Sequence, residues 1–140
     1  MINFYSENDF SLKEDEKHQD WIREVIASEE FKCDEISYIF CDDAYLLKIN
    51  QEFLNHDTYT DIITFDNSMG KTISAEIYIS TERVVENAAE FGNKYEEELR
   101  RVMIHGVLHC MHIKDTTEED QRKMRQKEDE KLQMFHVEQK

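Results

Sequence analysis

The sequence predicts an α+β fold, a single domain over residues 1–140 in which a small mixed sheet of about four strands packs with about five helices. Strand-length runs of β-branched and aromatic residues fall in the first two-thirds of the chain, with helical periodicity between and after them rather than in a strict repeat. The length of 140 residues suits one domain, and a chain of that size buries about two-thirds of the surface its unfolded form exposes.

Residues 2–5 alternate weakly and read as a short strand. Residues 12–28 place Trp21, Ile22, Val25 and Ile26 on one helical face. Residues 35–41 hold Ile36, Tyr38, Ile39 and Phe40 and stop at Asp42 and Asp43, a strand followed by a turn. A second helix over 44–54 carries Leu46, Leu47, Ile49, Phe53 and Leu54. Residues 61–65 and 72–79 read as two strands joined by a turn at Gly70, the second alternating as Ile73, Ala75, Ile77, Ile79. Ser80 is placed to cap the next helix, which ends near Gly92. The strongest helix spans 95 to about 111, with Leu99, Val102, Met103, Gly106 and Val107 on its apolar side. Thr117 and Asp120 form a capping box for a last helix whose charged residues read as a solvated face.

The chain has 17 basic and 32 acidic residues and a net charge of −15, a field that repels polyanions at long range. The stretch 99–114 has no acid, however, and holds Arg100, Arg101, Lys114 and three histidines. Screening limits surface charges to about 8 Å, so this stretch can form a local basic island. Three unspaced cysteines argue against a disulfide framework. Together with the lack of a signal-like or membrane-length apolar run, they point to a soluble cytoplasmic protein.

Chemistry concentrates in HGVLHCMHIKD, residues 105–115. His105 and His109 lie one turn apart, about 40° around a helix and about 6 Å along it. Both imidazoles can reach one ion at the zinc–nitrogen distance of about 2.0–2.1 Å. A catalytic zinc needs a third protein ligand and an open position for water. His112 would sit about 10.5 Å in rise from His105 on an unbroken helix, which spoils tetrahedral angles. Asp115, delivered by a loop beyond the helix end, is therefore the favoured third ligand, and His112 is a candidate to line the open position. Gly106 costs about 1 kcal/mol in a helix interior, which suggests close approach of a neighbouring backbone or of substrate. Zinc peptidases carry a glutamate base where this chain has Gly106, which argues against peptide hydrolysis. Arg100, Arg101, Lys114 and His56 are candidate phosphate contacts, whereas His18 and His136 read as solvated.

The chain resembles the YbeY family of metal-dependent endoribonucleases, whose signature is a histidine pair four apart and a third histidine six residues later. His105, Gly106, Leu108 and His109 match, with Asp115 in place of the third histidine. The segments INQEFLNHDTYTDIITF and SAEIYIS resemble the family's stretches upstream, through Asn50, Phe53, Asp57, Thr60, Asp61 and Phe65. The resemblance implies a zinc ion at the end of a long helix. It also implies maturation of ribosomal RNA, notably the small-subunit 3′ end, ribosome quality control, and ribosomal RNA and ribosomal proteins as partners. Asp115 shifts metal preference toward harder ions. Ala75 and Glu76 replace the family's usual Gly and Asp, and Leu54 replaces an arginine tied to activity. Two rival readings are a ribosome assembly factor with a structural metal and a metallohydrolase acting on another ester or amide.

Overall fold

The computed structural model describes residues 1–55 and 60–138. Its elements run β1 (Ile2–Ser6), α1 (Asp15–Ser28), β2 (Lys32–Cys41), α2 (Asp43–Leu54), β3 (Ile62–Asp66), β4 (Thr72–Ser80), α3 (Thr81–Phe91), α4 (Tyr95–Cys110) and α5 (Glu118–Glu138). The strands form one sheet in the order β1-β2-β4-β3. β1, β2 and β4 are parallel and β3 is antiparallel to β4, with Ile62 opposite Ile79. This is the α+β, mixed four-strand, five-helix architecture that the periodicities predict.

Period-two alternation sorts side chains between the two faces of the sheet. Ile36, Tyr38 and Phe40 of β2 and Ile73, Ala75, Ile77 and Ile79 of β4 enter one core, with Trp21 and Ile22 from α1, Leu99 to Leu108 from α4, and Met124 and Phe135 from α5. On the other face Cys41, Leu46 and Ile63 form a smaller cluster beneath α2. The helix ends follow the capping residues. Asp42 accepts from the Tyr45 amide at 2.8 Å, Ser80 from Arg83 at 3.2 Å and Thr117 from Asp120 at 3.0 Å. Gly92 closes α3 at φ 69° in the left-handed region.

Four expectations change. β2 starts three residues early, because a bulge between Cys33 and Ile36 interrupts the alternation while Lys32 still pairs with Thr72. α1 starts at Asp15, after Phe10 and Leu12 have packed on the core and Glu14 has taken a left-handed φ of 59°. His18 is not solvated but 4% exposed, between Trp21, Phe4 and Phe135. Its Nδ1 donates to the Glu14 carbonyl at 3.0 Å. The charged face of α5 is not wholly solvated either, since Glu128 and Lys131 are buried. Lys131 Nζ reaches Glu29 at 2.8 Å, and the Lys131 carbonyl accepts the Trp21 indole N–H at 2.7 Å.

The three cysteines are free thiols, with Cys41 and Cys110 buried and Cys33 half-buried. Burial, reinforced by nearby carboxylates, pushes both Cys41 and Cys110 up to about 12. Among the described residues no helix is long and apolar enough to cross a membrane.

Candidate active site

α4 lies across the sheet because Gly106 lets it come close. A Cβ there would sit 3.1 Å from Cδ1 of both Ile62 and Ile77 and 3.2 Å from Thr64 Oγ1. The close neighbours are thus side chains of β3 and β4, rather than the backbone or substrate suggested by the sequence. The glycine lowers the histidine-bearing turn onto the sheet.

The helix stops at Cys110, and His112 takes φ 69°, turning the chain back. That reversal places Asp115 Oδ2 3.3 Å from His105 Nε2. The separation is outside the usual N–H···O range of about 2.7–3.2 Å. It matches one edge of a tetrahedron, since two donors at about 2.05 Å from zinc lie about 3.3 Å apart. Behind the ring, Glu128 Oε2 from α5 lies 2.7 Å from His105 Nδ1. A carboxylate can only accept, so Nδ1 carries a proton, and Nε2 is the nitrogen that faces Asp115 and is placed to ligate an ion. Burial alone would lower the His105 pKa, but the hydrogen bond and charge of Glu128, with Asp115 and Asp61, outweigh it and raise it.

Glu128 is itself held by Arg101 Nη1 at 2.9 Å, and Arg101 also reaches Asp129. Asp61 faces the same cavity of about 480 Å3. Its carboxyl is pushed above the usual range by burial, against the pull of His105, and it accepts the Asn87 amide at 3.2 Å.

The remaining sequence candidates scatter. His109 is exposed one turn further along α4. Among the described residues no three His, Cys, Asp or Glu side chains are assembled to hold an ion. His105 and Asp115 face one another at 3.3 Å, and His109 is not among the residues lining their cavity. His112 is exposed, 6.4 Å from the Phe31 ring, and is not among the residues lining the His105 cavity. Arg100 stacks its guanidinium 4.2 Å over Phe135 and lines a different cavity with Tyr95 and His18. Arg101 lines the His105 cavity, where its charge is taken up by α5. Lys114 is exposed, and His56 lies outside the described residues. The basic island of the sequence is thus divided between two sides of α4 and partly neutralised by acids 27 and 28 residues away. Glu128 is the residue sequence reasoning missed, because on a highly charged helix nothing separates one buried glutamate from its exposed neighbours.

The chain has relatives in sequence and fold. The family model for endoribonuclease YbeY matches residues 2–136. The chain belongs to the endoribonuclease YbeY family. It is 57% identical over 138 residues to the endoribonuclease YbeY of Christiangramia forsetii, covering 99% of this chain and 96% of that protein. With the Flavobacterium johnsoniae endoribonuclease YbeY it shares 55% identity over 139 residues, covering 99% and 100% of the two chains. The solution structure of TM1509 from Thermotoga maritima superposes with a TM-score of 0.70 at 27% identity, covering 99% of this chain and 91% of that one. Membership in the family makes the chain a hydrolase of the endoribonuclease class.

Proposed function

We propose that this endoribonuclease processes ribosomal RNA, at the 3′ end of the small-subunit RNA and in ribosome quality control, in a reducing cytoplasm. In this reading it holds one divalent ion, zinc, on His105, His109 and Asp115. The observation carrying the metal reading is the 3.3 Å separation of His105 Nε2 from Asp115 Oδ2, with Glu128 bonded to the far nitrogen of the same ring. An imidazole that gives its other N–H to a carboxylate is the usual setting of a metal-bound histidine. The donor set of two nitrogens and one oxygen suits zinc and leaves room for a harder ion.

When bound, the ion supplies a Lewis acid for a phosphoryl oxygen and makes a coordinated water more acidic. The protein supplies the rest. Glu128 fixes the His105 tautomer so that Nε2 is free to bind, and Arg101 holds that carboxylate in place. Asp115 contributes negative charge, which lowers the cation's net charge and offsets part of its attraction for phosphate. Lys114, next to Asp115 in sequence and exposed, adds a cation for the RNA backbone.

A structural metal in an assembly factor is the second reading, favoured by the apolar Leu54, 43% exposed on α2 where many family members carry an arginine. Elemental analysis of protein purified without chelator, followed by cleavage of ribosomal RNA by the same sample, tests both. The expected result is about one zinc per chain and cleavage, both lost in His109→Ala. A metal-free preparation that cuts RNA equally well sinks the mechanism. A fully loaded, inactive protein favours the second reading.

A further inference from the structure

Phe91, the last residue of α3, is 55% exposed, yet it lines the cavity that holds His105 and Asp115. Burial gives a phenyl ring no reason to sit there. Its neighbour is the Arg125 guanidinium of α5, 5.7 Å from the ring centroid, which lines the same cavity. The other charged groups nearby are committed. Asp61 accepts from Asn87, Glu98 accepts the Asn93 amide at 3.0 Å, and Glu128 is shared by Arg101 and His105. Arg125 is exposed and makes no ion pair among the described residues.

We propose that this end of the cavity is a nucleobase subsite for single-stranded RNA, in which one unpaired base stacks on Phe91 and Arg125 meets an adjacent phosphate. The inference rests on the endoribonuclease reading above and deepens it. Aromatic faces take any base, because every base has a π-face, and they take it only when it is unstacked from a duplex. An arginine beside the ring adds a fixed cation for the backbone. The cavity of about 480 Å3 lies within the usual range for a site accepting a small organic group. A strand anchored there lies across His105 and Asp115, so the subsite sets which phosphate meets the chemistry while leaving base identity open.

The test uses the full chain as purified, with its metal content measured, and a fluorescent single-stranded RNA of about ten nucleotides beside a duplex of equal length. Anisotropy reads binding, and electrophoresis of the same samples reads cleavage. Phe91→Ala is expected to raise Kd about tenfold, with metal content unchanged, and Phe91→Trp to restore it. Arg125→Ala is expected to weaken binding and to flatten the log–log salt dependence by about 0.7, a slope that Arg125→Lys keeps. A Phe91→Ala protein that binds the single strand as tightly as its parent overturns the subsite, as does equal affinity for duplex. If the parent cuts RNA while that variant binds unchanged, only the subsite falls. A parent that neither binds nor cuts overturns the subsite and the endoribonuclease reading together.

Discussion

Glu128 Oε2 lies 2.7 Å from His105 Nδ1, and the same carboxylate accepts Arg101 at 2.9 Å. This joins α5 to the histidine-bearing turn of α4 through a buried charge.

Removing that carboxylate should loosen the metal as well as the fold. Partners of this kind are worth about 10–100-fold in metal affinity, so Glu128→Ala should raise the zinc dissociation constant by that factor. Glu128→Gln, which keeps an oxygen acceptor without the charge, should fall between. Chelator competition on the three proteins measures the order, with Tm recorded for each because breaking a buried ion pair also destabilises, by about 3–5 kcal/mol. Equal zinc affinity in parent and Glu128→Ala would dismiss Glu128 as a support for the site.

Asp115 is expected to set metal preference rather than metal binding alone. A carboxylate favours harder ions and imidazole favours zinc. Asp115→His should therefore shift competitive loading from manganese toward zinc, and Asp115→Ala should weaken both. Loading from an equimolar mixture, read by elemental analysis, gives the ratio directly, and an unchanged ratio in Asp115→His would show that this carboxylate is no ligand.

Gly106 is held by contact rather than by backbone conformation. Alanine there gains about 1 kcal/mol of helix propensity. Against that, its methyl would press on Ile62, Ile77 and Thr64 at 3.1, 3.1 and 3.2 Å, and overpacking a core costs about 1–3 kcal/mol. The net expectation is a loss of about 1 kcal/mol in Gly106→Ala and a far larger one in Gly106→Leu, measured by urea unfolding. A stabilised Gly106→Ala would mean that the neighbouring methyls yield freely.

The elements were legible in the sequence wherever one physical signal acted alone. The alternation Ile73, Ala75, Ile77, Ile79 marked β4, and Ser80 and Gly92 bracketed α3. Legibility failed where two signals overlapped, as in β2, whose bulge hides Lys32 and Cys33 from any period-two pattern. In the candidate site, the chain reversal that brings Asp115 back to His105 could be read from local geometry. The partners on α5 could not. Glu128 reaches His105 across 23 residues of sequence, and Arg101 looked like a free cation because the acids that neutralise it are equally remote. His18 was misread for the same reason, since the aromatic rings around it come from β1 and α5 as well as α1.

His18 gives the fold a measurable response to acid. Burial holds its pKa below 6.5, with the Glu14 carbonyl pulling the other way and the Arg100 charge adding to the lowering. The unfolded chain therefore binds more protons than the native one as pH falls through that region, and linkage makes stability fall with it. The contribution is fully present above 6.5 and is lost as pH drops toward the depressed native value. His105 in the metal-free protein works with the opposite sign. Its raised pKa adds stability that is complete below 6.5 and fades as pH rises through its native value. Glu29, lowered from 4.5 by Lys131 and Lys127 against its own burial, loses its contribution only in more acidic solution. Urea unfolding in chelator between about pH 5 and 7.5 should thus show a shallower acid-side loss in His18→Phe than in the parent. The slope is the quantity to compare, since the substitution also alters packing against Phe4, Trp21 and Phe135. Parallel slopes in the two proteins would mean that the buried imidazole takes up its proton as readily as one in water.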